Sequence, residues 1–168
     1  MLFRSRAEID EKGKRQIRLL GEDLVLFRDS AGRYGLVAEQ CPHRSASLSY
    51  GRLESAGLRC PYHGWLFDVD GRCLEQPAEP ADSTYKDTIQ QTVYPVQELG
   101  GVLFGYLGPA PVPLLPRYDI LVRPDWIRRI EIHPVLDCNW LQPMENAVDP
   151  AHLYWLHGYT GGAHANRD

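Results

Sequence analysis

The sequence predicts a mainly β fold, a small antiparallel β-domain followed by a second region that holds the one candidate for a long helix. Three observations lead to this prediction. Short runs rich in β-branched and aromatic residues fill the first two thirds of the chain, with turn-forming residues between them. A proline-rich stretch, GPAPVPLLP, follows at residues 108–116. A segment long enough for a sizeable helix, residues 138–157, comes only after that stretch.

The predicted strands are each bordered by turn residues. Asp70-Gly71 and Gly100-Gly101 lie between pairs of apolar runs, and such dipeptides are typical of tight hairpins. The turn-forming residues 29–32 separate the first two runs in the same way. The predicted strands are residues 17–28, 34–38, 65–69, 72–74, 92–99 and 102–107.

Prolines set the predicted domain boundaries. Because proline has no N–H to donate to a β-ladder, the four prolines of GPAPVPLLP predict an extended connector. We therefore expect a β-domain at residues 1–108, a connector at residues 109–124 and the start of a second domain at residues 125–168.

The second domain is expected to begin with a strand and continue into a helix. Residues 126–133 alternate loosely in polarity, which indicates a strand. In the helical segment, Pro143 and Pro150 are expected at helix ends or breaks, since proline disrupts a helix interior.

Composition and charge exclude several classes of protein. The net charge of −4 and scattered basic residues argue against a nucleic-acid-binding protein. No apolar run approaches the roughly 18 residues that would span a bilayer, and the first 15 residues lack a secretory signal. We therefore expect a cytoplasmic protein with no membrane partner. In the reducing cytosol the four cysteines are expected to be packing residues, as for Cys73 and Cys138, or metal ligands.

Two Cys-His pairs have the spacing of metal ligands. Residues 41–65 read CPHRSASLSYGRLESAGLRCPYHGW, in which Cys41 and His43 form C-x-H, and Cys60 and His63 form C-x-x-H. Such a set could hold zinc or an iron–sulfur cluster. In a Cys2His2 zinc finger both cysteines precede both histidines, which lie on a helix. Here each predicted loop carries one residue of each type, and an arrangement with thiolates on one iron and imidazoles on the other is a Rieske [2Fe–2S] centre.

This segment resembles the Rieske ferredoxins and the Rieske domains of ring-hydroxylating oxygenases. The resemblance covers about residues 20–107 and implies that Cys41 and Cys60 ligate one iron, and His43 and His63 the other. The disulfide of respiratory Rieske proteins would fall near Ala46 and at Tyr62, which are not cysteines, so the soluble branch is the better match.

A second motif follows in the tail. Within DCNWLQPMENAVDPAHLYWLHG, residues 137–158, the pattern D-x-x-H-x-x-x-x-H is similar to that of the oxygenase α-subunits. The resemblance implies that His152 and His157 ligate a mononuclear non-haem Fe(II), and that Asp149 is the catalytic carboxylate bridging to a Rieske histidine of a neighbouring subunit.

The spacing of these histidines tests that interpretation. Five residues on an ideal helix turn the chain by roughly 500°, which leaves the side chains about 140° apart. His152 and His157 can share one metal only if the helix breaks, ends or carries a π-bulge between them. The alternative is an ordinary helix, in which Asp149 is the N-cap and Pro150 the first residue.

The resemblance as a whole implies a Rieske-type antiparallel β-domain with a cluster-binding subdomain, followed by the beginning of an α+β catalytic domain. The family's function is oxygenation of aromatic or similar apolar substrates by O2, in aromatic hydrocarbon catabolism. The resemblance also implies that a ferredoxin or flavin reductase supplies the electrons and that the full-length form is a homotrimer. The remaining iron carboxylate and most of the pocket would lie beyond Asp168, so we expect a truncated chain with an incomplete iron site.

Two other hypotheses remain open at this point. The first is a stand-alone Rieske ferredoxin-like electron carrier with a structural tail, although a carrier has no use for His152 and His157. The second is a zinc protein without redox function.

Overall fold

A computed structural model of the protein describes residues 2–127 and 136–160. The chain forms two compact units, Met1–Ile132 and His133–Asp168. All the strands of the described residues lie in the first unit, and the second unit contains helices.

Eleven strands, all within residues 2–127, form three antiparallel sheets. Their orders are β1-β11-β10, β2-β3-β4-β9 and β5-β6-β7-β8. The strands are β1 (Leu2–Ser5), β2 (Lys14–Leu19), β3 (Glu22–Arg28), β4 (Tyr34–Ala38), β5 (Arg52–Glu54), β6 (Gly57–Arg59), β7 (Leu66–Phe67), β8 (Cys73–Glu75), β9 (Val93–Tyr94), β10 (Val96–Leu99) and β11 (Val102–Gly105). The prediction of a mainly β, antiparallel domain is confirmed.

Strand β3 separates two hydrophobic cores. Its residues 24–27 read LVLF and are all fully buried. Because side chains alternate between the faces of a strand, Val25 and Phe27 enter one core while Leu24 and Leu26 enter the other. The first core also contains Cys41 and Cys60, so it lies directly beneath the predicted metal ligands. An uninterrupted apolar run is what a strand needs when both of its faces are covered.

The sheet β5-β6-β7-β8 forms the subdomain that carries the ligands. In it, β6 pairs with β5 and β7, with Leu58 opposite Phe67. The predicted hairpin at Asp70-Gly71 is confirmed, since β7 and β8 pair antiparallel on either side of it. The buried Asp68 carboxylate closes this turn by accepting hydrogen bonds from the backbone N–H groups of Asp70 and Arg72, at 3.0 and 2.8 Å.

The structure corrects two strand predictions and adds elements that were not predicted. Residues 17–28 are not one strand, because the chain reverses at Leu20 and Gly21, whose φ angles are 50° and 91°. Residues 92–99 divide at Pro95 into β9 and β10, which belong to different sheets. Strands β1, β5 and β6 and helix α1 (Arg6–Lys12) were not predicted. Helix α1 contributes the buried Ile9 to the second core.

After β11, residues 106–118 have no regular secondary structure, as expected for a proline-rich connector. A short helix, α2 (Asp119–Val122), follows. The predicted strand at residues 126–133 lies almost entirely outside the described residues, which exclude 128–135.

The second unit is helical but broken. Helix α3 (Leu141–Ala147) has Pro143 in its first turn, and helix α4 (Pro150–His152) begins with Pro150, so both prolines lie at helix starts as predicted. A π-helical segment, Leu153–Thr160, continues from α4. The helical segment predicted at residues 138–157 is thus interrupted before Pro150, where a helix end or break was expected. In the described part of the chain, no helix has the length and apolar character to cross a membrane.

Candidate metal centre

The four side chains predicted from the two Cys-His motifs come together in the first unit. Cys41 and Cys60 are buried, with exposed fractions of 2% and 3%. His43 is half-buried and His63 is exposed, and their ring centroids are 4.6 Å apart. The arrangement places a sulfur pair in the core and a nitrogen pair towards the surface.

The two ligand-bearing loops have the same backbone design. We name residues 41–46 loop 1 and residues 60–65 loop 2. In loop 1 the Cys41 N–H donates to the Ala46 carbonyl at 2.9 Å, and the Ser45 N–H donates back to Cys41 at 2.9 Å. In loop 2 the Cys60 N–H donates to the Trp65 carbonyl at 2.8 Å, and the Gly64 N–H donates to Cys60 at 3.2 Å. The two loops are thus repeats of one turn that face each other.

A left-handed residue closes each turn. Ser45 has φ of 54° and Gly64 has φ of 74°. Gly64 adopts this conformation without strain because it has no Cβ, and an added Cβ would lie 3.1 Å from Pro77 Cγ. The close approach of Pro77 explains why glycine follows His63 here.

Aromatic rings fix the orientation of both histidines. The Trp65 ring stacks on His43 with a centroid distance of 4.4 Å and an interplanar angle of 3°. The Tyr62 ring lies 3.8 Å from that of His63. Trp65 is itself buried and contacts Tyr85 edge-on at 6.1 Å, so His43 is held by the packed core.

The electrostatics of the site fit a cationic centre. Burial raises the pKa of the Cys41 thiol to about 11, and the neighbouring Cys60 adds to this effect. Desolvation holds the pKa of His43 below its usual value, with His63 and Arg44 contributing. Buried thiols deprotonate readily when they ligate a metal. In addition, His43 Nδ1 is buried without a hydrogen-bond partner, which a bound group would supply.

Polar side chains outside the motifs support the loops, and sequence reasoning missed them. The Gln91 Nε2 group donates to the carbonyls of Ala38 and Gln40 at 2.6 and 3.0 Å, which anchors the chain just before loop 1. Arg59 Nη1 donates to the Gly64 carbonyl of loop 2 at 2.5 Å. Arg59 directly precedes Cys60 in the sequence, and that position was the only available signal.

In the second unit, the tail motif is brought together in part. The centroids of His152 and His157 are 5.5 Å apart. Asp149 Oδ2 lies 3.5 Å from His152 Nδ1, while its Oδ1 accepts a hydrogen bond from the Ala151 N–H at 2.8 Å. Asp149 is therefore also the helix N-cap that the alternative interpretation required.

The π-helical segment removes the geometric objection to a shared metal. Its hydrogen bonds run from residue i to residue i+5, so residues five apart return to the same side. His152 is the last residue of α4, directly before this segment, and His157 lies within the segment, five residues on. Within residues 2–127 and 136–160, no three His, Cys, Asp or Glu side chains lie close enough together to hold one metal ion.

The expected packing role holds for Cys73, which is buried, and fails for Cys138, which is exposed. The backbone around Cys138 belongs to the second unit, outside both hydrophobic cores.

The fold and the paired loops define a class of small β-domains that hold a metal centre between two facing turns. Residues 1–95 match the model of the Rieske [2Fe-2S] domain. Since this match covers more than half of the chain, the protein belongs to the Rieske [2Fe–2S] family.

Several similar proteins are oxygenase components. The 5,5'-dehydrodivanillate O-demethylase oxygenase subunit of Sphingobium sp. is 47% identical over 90% of this chain and 36% of its own length. The phenoxybenzoate dioxygenase subunit alpha of Ectopseudomonas oleovorans is 48% identical over 87% of this chain and 39% of its own length. The chain thus spans little more than a third of these relatives.

Solved structures agree with this similarity. Dicamba monooxygenase bound to dicamba has a TM-score of 0.53 and 30% identity, over 64% of this chain and 34% of its own. The oxygenase in complex with ferredoxin from carbazole 1,9a-dioxygenase has a TM-score of 0.58 and 29% identity, over 67% of this chain and 30% of its own.

Proposed function

We propose that the chain belongs to the oxygenase component of a Rieske-type oxygenase, to which it contributes the Rieske domain and the start of the catalytic domain. The observation that carries this proposal is the presence, on one chain, of two facing Cys-His loops and a separate histidine pair. The relatives support it, because their names are those of mono- and dioxygenase subunits and an O-demethylase. A stand-alone carrier gains no support from relatives of this kind.

In this proposal Cys41 and Cys60 hold one iron of a [2Fe–2S] cluster, and His43 and His63 hold the other. When bound, the cluster supplies one-electron transfer at a higher potential than an all-cysteine cluster. The core beneath Cys41 and Cys60 excludes water from the sulfur side. His63 is exposed, so its imidazole is the ligand that an electron-donor protein can approach most closely.

His152 and His157 are the proposed ligands of a mononuclear Fe(II), and Asp149 is the proposed bridge to the Rieske centre. When bound, this iron supplies O2 activation. His152 Nδ1 is buried and has no hydrogen-bond partner, which supports a role as a ligand atom. A two-histidine, one-carboxylate site requires a further carboxylate. We propose that it comes from a part of the protein other than residues 136–160.

The proposed partners follow from the same comparisons. A ferredoxin is the proposed electron donor, because one solved relative is an oxygenase–ferredoxin complex, and a flavin reductase is the alternative donor. The substrate class is an aromatic or similar apolar compound, as the relatives' names indicate. A homotrimeric full-length form, a cytoplasmic location and the division at residues 108 and 124 remain predictions.

The test is metal and sulfide analysis of the anaerobically reconstituted chain. We expect a red-brown protein with two labile sulfides per chain and either two irons, for the cluster alone, or three, if the histidine pair is loaded as well. His152→Ala is expected to leave the sulfide content and the cluster spectrum unchanged and to abolish any third iron. A colourless zinc-loaded protein would contradict the proposed function.

A further inference from the structure

We propose that Arg59 is a positioning residue for the cluster: by holding the Gly64 carbonyl it fixes loop 2 and raises the reduction potential of the centre. This inference rests on the proposed function, because a reduction potential presupposes the cluster.

Arg59 contacts loop 2 directly. Arg59 ends strand β6, immediately before the proposed ligand Cys60, and its side chain is only 16% exposed. Its Nη1 donates to the Gly64 carbonyl oxygen at 2.5 Å. Charge-assisted hydrogen bonds are roughly twice as strong as neutral ones.

The Gly64 carbonyl is placed where it affects the orientation of both histidine ligands. It belongs to the peptide that joins Gly64 to Trp65, and Gly64 directly follows His63. The Gly64 N–H donates to Cys60, and the Cys60 N–H donates to Trp65, so this peptide lies within the turn that presents the ligands. Trp65 in turn stacks on His43. Rotation of this one peptide would therefore disturb both imidazoles.

The Arg59 guanidinium is held in place by two carboxylates. Its Nε and Nη2 donate to the two oxygens of Glu54 at 2.7 and 2.8 Å, and Nη2 also donates to Glu75 at 2.6 Å. The planar guanidinium of Arg59 thus links β5, β6, β8 and loop 2. A lysine ammonium could not match this geometry, because it is a point charge on a flexible stem.

Loop 1 offers a contrast. Its base is anchored by the neutral amide of Gln91, through the carbonyls of Ala38 and Gln40. Loop 2 is instead anchored by a cation at the turn itself. Glu54 and Glu75 offset part of the guanidinium charge, and the strong hydrogen bond to Gly64 draws electron density from the peptide beside His63. This favours the reduced, more negative cluster, since hydrogen bonds and local charge set the potential of such centres.

The chain supplies a matched control in Arg52. Arg52 is the cross-strand neighbour of Arg59 and also binds Glu54, with Nε at 2.8 Å from Oε1. Its side chain is 75% exposed, and its bonds are made to Glu54 rather than to loop 2. Arg52→Gln therefore removes the same charge from the same sheet while the contact with Gly64 remains.

The experiment is redox titration and EPR of the reduced holoprotein for the wild type, Arg59→Gln, Arg59→Lys and Arg52→Gln, at matched cluster content. Changes in residues that orient metal ligands typically alter affinity or activity by about 10–100-fold. We expect Arg59→Gln to lower the equilibrium constant for reduction by about tenfold, or about 59 mV for one electron, with altered EPR g-values. Arg59→Lys should recover part of the potential, and Arg52→Gln should match the wild type.

The other outcomes separate the positioning role of Arg59 from the assignment of the cluster. An unchanged potential and spectrum in Arg59→Gln, or an equal shift in Arg52→Gln, would overturn the positioning role while the cluster assignment stands. A wild type without a cluster would overturn the proposed function instead. If Arg59→Gln does not fold, the comparison of Arg59→Lys with Arg52→Lys decides, and identical potentials would overturn the proposal.

Discussion

The cluster loops and the tail histidines are organised in opposite ways. Loops 1 and 2 come from separate parts of the chain, and a core that includes Cys41 and Cys60 holds them together. Asp149, His152 and His157 come from one short helical stretch, and its large apolar neighbours Tyr154, Trp155 and Leu156 are more than half exposed. The first site depends on tertiary packing, whereas the second depends on local backbone geometry.

This difference indicates how much of each site the chain can form by itself. The first site brings all four proposed ligands together, with the His43 ring held by the buried Trp65 and the turns held by backbone hydrogen bonds. Preorganised ligands of this kind lose little entropy when a cluster binds. The second pair has the correct spacing but needs a further carboxylate. We therefore expect the [2Fe–2S] site to assemble in this chain independently of the iron site.

The largest effect is expected when one sulfur ligand is removed. Cys60→Ser should abolish the cluster, because a serine hydroxyl is a far weaker ligand than a thiolate for iron–sulfur clusters. The visible spectrum, the iron content and the labile sulfide measure the loss. Cys73→Ser is the matched control, since Cys73 is also buried but lies in β8 outside both loops. Equal cluster content in Cys60→Ser and the wild type would remove Cys60 from the ligand set.

A smaller effect separates the two units by their packing. Leu58 is fully buried in the core beneath the cluster, whereas Leu153 is 56% exposed in the second unit. We expect Leu58→Ala to lower the free energy of unfolding by about 2–5 kcal/mol, because it leaves a cavity. Leu153→Ala should change it by about 0.5 kcal/mol or less. Chemical denaturation monitored by circular dichroism measures both, and equal losses would contradict the contrast.

The smallest effect concerns the charges beside loop 2. Hydrogen bonds from Arg59 and Arg52 hold the pKa of Glu54 at about 2, below its usual value of 4.5. Because the folded-state pKa is depressed, the stabilisation is complete above about pH 4.5 and is lost as the pH falls towards 2.

Thermal unfolding between pH 6 and pH 2.5 tests this dependence. The wild type should lose stability across that range more steeply than Glu54→Gln, in which the titrating group is absent. Other carboxylates with lowered pKa values, such as Asp10 and Glu39, titrate in both proteins and leave the difference unaffected. Parallel pH profiles would show that the Glu54 contacts contribute nothing measurable.

The sequence predicted the ligand loops because each Cys-His pair lies within three or four consecutive residues. The C-x-H and C-x-x-H motifs can be recognised without knowing the fold, and the Asp70-Gly71 dipeptide by itself predicts a turn. For His152 and His157 to share a metal, their five-residue spacing required a helix break, a helix end or a π-bulge, and the structure has a π-helical segment there.

Other features depended on contacts that no local pattern reveals. The turn at Leu20 and Gly21 was missed because leucine rarely adopts a positive φ, although Gly21 by itself permits a turn. Strand β1 needs β11, about one hundred residues away, as its partner. Arg59 resembled any surface cation until the Gly64 carbonyl was found beside it. Long-range pairing therefore explains most of what the sequence left open.

The central claim is that two imidazoles and two thiolates hold the cluster. It is tested most directly by pulsed EPR of the reduced protein labelled with ¹⁵N-histidine. We predict hyperfine coupling to two histidine nitrogens in the wild type and to one in His63→Cys, with a potential lowered towards the roughly −400 mV of plant-type ferredoxins. A wild-type signal without histidine coupling, or one that is unchanged in His63→Cys, would contradict the account.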